Sequence, residues 1–375
     1  MSILTHTGFG GSRVVVALYA LELGASQFSI GMLTALYALC PMLLAVHSGR
    51  LVDRLGPRLP MLVGSFGMVA GLLLPPLLPG LPVLYVSAFV LGAAFQLFFV
   101  AVQGTTGAVG APERRAANYA LLSLGFSISG FSGPLIAGFS IDHLGHLPAY
   151  LVLAAVTVPP ILILWLKGGI LPGSVARPAG EQEKEKSAFD LLRVARLRNT
   201  FIAGGFLAAA WDLFSFYFPI YGHSLGLSAS AIGINLAVFA LATFVIRLAL
   251  PRMVKRWSEA EIITYAIFVA ALAYVLFPFF QNAYLLAATS FLLGLGLGCG
   301  QPLSMTLIYN LAPPGRAAEA AGLRIMMNNV AHVGIPLFFG GIGSAFGFTP
   351  VFLTNAALLF AGGCFSRKTH TRAAS

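Results

Sequence analysis

The sequence predicts an all-α membrane protein with twelve transmembrane helices in two pseudo-symmetric six-helix bundles. Three observations lead to this fold class. Hydrophobic residues make up 58% of the 375 residues and charged residues 9%, with a mean hydropathy of +0.88; a soluble domain carries about 25% charged residues. The basic residues are confined to alternate connections between apolar segments. The two halves of the chain also resemble each other in sequence.

The apolar segments give the predicted helices, because a helix that crosses a bilayer needs roughly 20 mostly apolar residues. Six segments fit in the first half, at 3–24, 29–47, 60–79, 82–104, 116–140 and 147–166. Six more fit in the second half, at 199–222, 228–248, 261–280, 283–306, 317–345 and 349–366. We therefore expect an N-terminal bundle (1–166), a linker (167–198) and a C-terminal bundle with a tail (199–375).

The basic residues give the predicted topology. All but two of the 22 Lys and Arg residues lie in alternate connections, at the edges of these connections or in the C-terminal tail; the two well inside apolar segments are Arg13 and Arg324. Cytoplasmic loops of membrane proteins collect Lys and Arg. We therefore expect a multi-pass inner-membrane protein with cytoplasmic termini. Topology and contact with anionic membrane lipids account for the net charge of +10, so it does not indicate nucleic-acid binding.

The linker is the long hydrophilic segment of the sequence. The run from Glu181 to Lys186 is typical of a solvated connection. After it, Leu192 and Leu197 alternate with arginines. This pattern predicts a short amphipathic helix that lies on the cytoplasmic lipid surface.

The repeat relates the halves at an offset of about 202 residues. Three sets of residues match in register: Gly49-Arg-Leu-Val-Asp-Arg54 with Pro251-Arg-Met-Val-Lys-Arg256, Tyr19 and Gly24 with Tyr221 and Gly226, and Pro134 and Gly138 with Pro336 and Gly340. Paired six-helix halves are found in secondary transporters, whose substrate site lies between the halves near the bilayer midplane.

The strongest motif is Gly49-Arg-Leu-Val-Asp-Arg-Leu-Gly-Pro-Arg58 between the second and third spans. It resembles the signature G-x-L-x-D-R-x-G-R-[KR] of the major facilitator superfamily, with Pro57 in place of one basic residue. The resemblance implies that superfamily's twelve-helix fold and transport by alternating access. With the repeat, it covers the whole chain except the linker and the tail.

The resemblance also implies a cytoplasmic gate. Its predicted residues are Gly49, Asp53, Arg54, Gly56, Arg58, Glu113, Arg256 and Glu319. Asp53 suits the positive N-terminus of a neighbouring helix. We expect Arg54 to pair with Glu113, and Arg256 with Glu319, while the cytoplasmic side is closed. The alternative is a set of surface charges that contribute about 0–1 kcal/mol each.

The fifth span carries a second, partial motif. Gly133-Pro134-Leu-Ile-Ala137-Gly138 resembles the G-P-x-x-G-G element of drug/proton antiporters, with Ala137 as a departure. The arginine that many of those antiporters carry in span four is missing, since residues 88–92 read Ala-Phe-Val-Leu-Gly. The alternative role of Gly133, Pro134 and Gly138 is close helix packing and a bend.

Ionisable residues inside the spans are candidates for function, because a charge at the bilayer centre costs at least about 2.5–3.5 kcal/mol. Arg13 and Asp212 lie midway along spans one and seven, which the resemblance places across one cavity. We expect them to pair there, either for function or as a static ion pair. Glu22 is expected at the interface, with proton carriage as the alternative.

The second predicted group lies on span eleven. Arg324, Asn328 and His332 are spaced by four residues, so they share one helical stripe. We expect this stripe to face the cavity; the alternative for Arg324 is snorkelling to the surface. The same cavity is expected to include Tyr19, Trp211, Tyr217 and Gln301. The aromatic members of this set also suit an interfacial belt.

Other chemistry is not expected. The sequence has no P-loop motif for ATP, and Asp142-His143-x-x-His146 lies in a short turn without a further metal ligand. We therefore expect no cofactor, no metal and no enzymatic activity.

The resemblance then implies a monomeric secondary transporter with a small-molecule substrate and protons as the coupling ion. The span-five motif favours efflux of a small anionic or zwitterionic organic compound. The alternatives are proton-coupled uptake of an organic acid, and a lipid-moving or receptor-like membrane protein.

The topology can be tested with single cysteines in a variant without Cys40, Cys299 and Cys364. The basic-residue distribution places position 182 in the cytoplasm and position 143 outside it. On intact cells, a membrane-impermeant maleimide should label His143→Cys, and should label Gln182→Cys only after permeabilisation. Labelling of both cysteines on intact cells would contradict the topology.

Overall fold

The computed structural model describes residues 1–108, 115–167, 188–313 and 316–374. In these ranges the fold is helical. The helices of the first half are α1 (Ser2–Glu22), α2 (Gln27–Leu55), α3 (Arg58–Leu77), α4 (Leu81–Ala108), α5 (Arg115–Leu144) and α6 (His146–Lys167). Those of the second half are α7 (Ala195–Ser224), α8 (Ala229–Met253), α9 (Glu259–Leu276), α10 (Ala283–Gly298), α11 (Gly300–Leu311), α12 (Ala317–Phe346) and α13 (Phe348–Ala374).

These helices correspond to the twelve predicted spans. Within the described ranges, ten segments are long and apolar enough to cross a membrane, and α10 and α11 together form one of them, Ala283–Leu311. The two remaining spans are α1 and α2, which contain more polar residues; α2 includes a shorter apolar stretch, Gln27–Leu43. The predicted all-α, twelve-span fold class is confirmed.

Two helices extend beyond the predicted spans. α2 continues to Leu55 and α8 to Met253, so most of the predicted loop motif 49–58 is helical. The cause is that charged side chains end an apolar segment without ending a helix. The helix ends at Gly56, whose φ of +74° places it in the left-handed region that favours glycine.

The first compact unit comprises Met1–Glu181 and Gly222–Ala237. In it, α1 packs against α5 and α6, and α4 packs against α2 and α3. Gly133 allows α5 to approach α1, because a Cβ there would lie 2.8 Å from the Thr7 carbonyl oxygen. Gly233 of α8 allows the same approach to α5, since its Cβ would lie 2.5 Å from the Pro134 carbonyl oxygen.

The Asp142-His143-x-x-His146 sequence has structural roles in this unit. The Asp142 carboxylate accepts hydrogen bonds from the backbone N–H groups of Ala229 (2.9 Å) and Ser230 (2.7 Å). It therefore caps the N-terminus of α8, where a negative charge is favourable. His146 pairs instead with Glu22, with 2.6 Å between Nδ1 and Oε2.

The second compact unit comprises Gln182–Tyr221 and Val238–Ser375. In it, α9 packs against α10 and α13, and α12 packs against α11 and α13. The end of the linker forms a 3-10 helix, Ala188–Arg193. Its Leu191 and the nearby Leu197 are fully buried in a cluster with Phe201, Ile308 and Leu323. Leu197, which the sequence places on the lipid surface, therefore packs against the helices of this unit; the placement of the rest of the segment stays a prediction.

The buried position of Leu197 can be tested by truncation. Leu197→Ala should lower the free energy of unfolding by about 2–5 kcal/mol, because it leaves a cavity among packed side chains. Thermal melting of the purified protein in detergent measures the loss. Val194→Ala is the control, since Val194 is 38% exposed. Equal melting temperatures for the two variants would contradict the packing.

Candidate functional site

A polar cavity of about 180 Å³ lies within the second unit. Its walls come from α7, α8, α12 and the junction of α10 with α11. The polar and aromatic residues that line it are Trp211, Asp212, Arg247, Gln301, Arg324, Asn328 and His332. The structure thus brings together six of the predicted cavity residues and adds Arg247.

The α7 wall forms because small residues let helices approach. Gly204, Ala208 and Asp212 recur every four residues and line the cavity on one face of α7. Gly300 of α11 lies against this helix, since a Cβ there would be 2.7 Å from the Leu207 Cδ1 atom. The close contact places Gln301 beside the α7 face.

The α12 wall is the predicted stripe. Arg324, Asn328 and His332 all line the cavity. Arg324 is only 8% exposed, so it is buried at the cavity and does not snorkel to the surface. A buried guanidinium gives the cavity a fixed positive charge, since arginine keeps its proton in proteins.

The side chains of Asp212 and His332 contact each other in the cavity. The Asp212 Oδ2 atom lies 2.5 Å from the His332 Nδ1 atom. The Asp212 side chain is 4% exposed, whereas that of His332 is 41% exposed. Asp212, which the sequence analysis pairs with Arg13, is therefore paired within its own unit. A carboxylate and an imidazole are both common acid–base groups in proteins, so this pair is chemically suited to hold a proton.

Arg247 is a cavity residue that the sequence analysis misses. The charge distribution assigns it to a cytoplasmic connection, but it lies inside α8 and lines the cavity. Its Nε atom donates a hydrogen bond to the Gly298 carbonyl oxygen at 3.1 Å. Two arginines, Arg247 and Arg324, therefore line this cavity.

The Gly298 carbonyl is available to Arg247 because of Pro302. Residue 302 would normally donate its N–H to the carbonyl four residues earlier, but proline has no N–H. α10 ends at Gly298, and the next bond runs from the Leu303 N–H to the Cys299 carbonyl oxygen at 3.2 Å. The signals in the sequence were a proline four residues after Gly298 and an arginine near the end of the eighth apolar segment.

Three predicted residues lie elsewhere. Arg13 is half-buried on α1 in the first unit. Tyr19 is also in that unit, where its ring stacks on His146 at a centroid distance of 5.8 Å. Tyr217 is fully buried in the second unit and packs against Phe352 at 5.6 Å. Both tyrosines therefore contribute to packing.

The predicted gate is only partly described. Arg54, Arg58 and Arg256 are exposed, and Arg58 Nη2 donates to the Trp165 carbonyl oxygen at 3.2 Å. Gly49 is not at a close helix contact, because a Cβ at this position would have no described atom within 4 Å. The side chains of Asp53 and Glu319, and all of Glu113, lie outside the described residues. The gate and its ion pairs therefore stay predictions.

Comparison with known proteins identifies the family. The family model of the Major Facilitator Superfamily matches residues 1–335 and, in a second match, residues 201–373. The chain belongs to the major facilitator superfamily. It is therefore a multi-pass membrane transporter and not an enzyme, as the sequence predicts.

Several members of this superfamily resemble the chain. The class D tetracycline resistance protein of Salmonella ordonez is 27% identical over 328 residues, which cover 83% of this chain and 79% of that protein. The quinolone resistance protein NorA of Staphylococcus aureus (strain COL) is 21% identical over 347 residues, covering 90% and 87%. The crystal structure of the nucleoside transporter NupG superposes with a TM-score of 0.79 at 16% identity, covering 97% and 96%.

The link between Pro302 and Arg247 can be tested by a double-mutant cycle. Arg247→Met should cost about 1–3 kcal/mol, because it strands the Gly298 carbonyl. In a Pro302→Ala background the cost should be smaller, because the introduced alanine supplies the missing N–H. Unfolding in detergent measures both costs. Arg252→Met, at the exposed end of α8, is the control and should cost the same in both backgrounds. An equal cost of Arg247→Met in both would contradict the link.

Proposed function

We propose that this transporter exports small zwitterionic organic compounds in exchange for protons, and that the Asp212–His332 pair carries the proton. The observation that supports this is a carboxylate–imidazole pair in a polar cavity within membrane-spanning helices. A charge in that position is costly unless it is paired or functional. His332 remains 41% exposed, so protons and ligands have access to the pair.

The charges of the cavity favour a ligand with a negative group. Arg247 and Arg324 supply two positive charges, and Asp212 supplies one negative charge. A carboxylate or similar anion on the substrate would be attracted to the guanidinium groups, which bind planar anions well. Since charged and amide side chains line it, the cavity suits a charged solute better than a lipid chain.

The coupling follows from the sign of the charges. Protonation of the Asp212–His332 pair adds one positive charge to the cavity. An ammonium group on the substrate adds the same charge, so the two compete, and competition for one site gives exchange. A substrate that carries only an anion is instead bound better when the pair is protonated, which gives co-transport. A zwitterion therefore suits efflux, and an organic acid suits the uptake alternative.

The relatives support efflux over uptake. The tetracycline and quinolone resistance proteins named above cover most of this chain's length. Tetracycline and norfloxacin each carry an amine and an acidic group, which is the charge pattern that the cavity suits. We also propose that the protein acts as a monomer and that both of its termini are cytoplasmic.

The role of Asp212 can be tested in inside-out membrane vesicles with tetracycline and norfloxacin as probes. A proton gradient should drive accumulation of one or both in vesicles that contain the parental protein. Asp212→Asn should reduce accumulation to the level of protein-free vesicles, because the pair then has no carboxylate to titrate. Asp190→Asn, a carboxylate paired with Arg193 near the surface, is the control.

Two outcomes would contradict the proposal. Accumulation by Asp212→Asn at the parental rate would show that this carboxylate does not carry the proton. Accumulation of benzoate in right-side-out vesicles, with no movement of the zwitterions in either orientation, would favour the uptake of organic acids.

A further inference from the structure

Five aromatic rings form a cluster in the first unit. They belong to His6 and Phe9 of α1, Phe95 and Phe99 of α4, and Phe126 of α5. Phe9 and Phe95 stack with 3.9 Å between ring centroids, and Phe95 and Phe99 stack at 5.6 Å. His6 lies 4.8 Å from Phe126. We refer to these five residues as the aromatic cluster.

The cluster occupies the positions that correspond to the polar cavity in the other half of the repeat. At the offset of about 202 residues, three cavity residues have ring counterparts: Trp211 with Phe9, Gln301 with Phe99, and Asn328 with Phe126. The charged cavity residues have uncharged counterparts: Asp212 with Gly10, Arg247 with Ala45, Arg324 with Leu122, and His332 with Gly130. The corresponding region of the first half thus has aromatic rings at three positions and lacks the charges of the second half.

The rings of the cluster are not packed as core residues are. All five are half-buried, whereas the core aromatic residues of the second unit, such as Phe277 and Phe352, are at most 1% exposed. The Nδ1 atom of His6 is buried and has no hydrogen-bond partner among the described residues. Buried polar atoms normally have a partner, so this nitrogen is available to a ligand.

We propose that the aromatic cluster binds a planar aromatic group of the transported compound. Partly accessible ring faces favour a flat ring, because offset stacking and edge-to-face contacts add to the burial of apolar surface. The His6 nitrogen gives the site a polar contact at its edge. The inference rests on the proposed function and narrows its substrates to aromatic zwitterions.

The test uses two compounds that differ only in ring character, 4-(aminomethyl)benzoic acid and 4-(aminomethyl)cyclohexanecarboxylic acid. Both are zwitterions with the same substituents. Calorimetry on the purified parental protein should show tighter binding of the aromatic compound. Phe95→Leu should weaken its binding about two- to tenfold, the contribution of one aromatic contact, and leave the saturated compound unaffected.

Further variants separate binding from folding. Phe99→Leu should act as Phe95→Leu does, and melting temperatures show whether either variant is unfolded. Phe89→Leu is the control, because Phe89 is on the same helix, is 44% exposed and lies outside the cluster. It should leave both affinities unchanged.

The inference is overturned if the parental protein binds the aromatic compound no better than the saturated one, or if both cluster variants weaken the two compounds equally. These failures differ from that of the proposed function. Proton-driven transport that depends on Asp212 but shows no aromatic preference removes the inference alone. An aromatic preference without dependence on Asp212 removes the proposed coupling and keeps the cluster as a binding site.

Discussion

The hydrogen bond from Arg247 to the Gly298 carbonyl is the contact on which the polar cavity depends. A backbone carbonyl without a partner is costly in a membrane-spanning helix, because no water is present to replace the bond. Pro302 creates such a carbonyl, and Arg247 satisfies it at 3.1 Å. The same bond holds a guanidinium in the cavity, so one break in a helix supplies both the opening between α10 and α11 and a positive charge beside it.

This positive charge changes what the Asp212–His332 pair is able to do. A fully buried pair of opposite charges with no other charge nearby would keep one protonation state. Any change in its protonation would leave a net charge in an apolar interior. Here Arg247 and Arg324 line the same cavity, and one partner of the pair is accessible. A ligand anion offsets the arginines, and a proton or a ligand cation offsets Asp212, so several combinations of bound charge are close to neutral. That condition is what an exchange mechanism requires.

The sequence predicted the fold because span length, charge distribution and the repeat are all properties of composition and spacing. It also predicted the α12 stripe, since Arg324, Asn328 and His332 recur every four residues. It missed Arg247 because a charge at the end of an apolar segment suggests a loop, although α8 continues to Met253. It placed Leu197 on the lipid surface because an amphipathic pattern does not say which apolar surface covers it. The partner of Asp212 could not be predicted from the sequence either. His332 lies 120 residues away in sequence, and only the packing of α7 on α12 brings the two side chains together.

The two halves of the repeat both use glycines at helix contacts, and they have diverged in their polar residues. Glycines at close contacts occur in both units, at Gly133 against α1 and at Gly300 against α7. The charged residues of the cavity have no charged counterparts in the first half, where the corresponding positions carry glycine, alanine and leucine. Each membrane-embedded charge costs about 2.5–3.5 kcal/mol on insertion scales, so a second set of charges would destabilise the protein further. Aromatic rings carry no such cost in an apolar environment, and they distinguish ligands by shape where charges distinguish them by sign. The divergence of the halves therefore gives one unit a charged cavity and the other an aromatic cluster, without increasing the number of charges that the bilayer must accommodate.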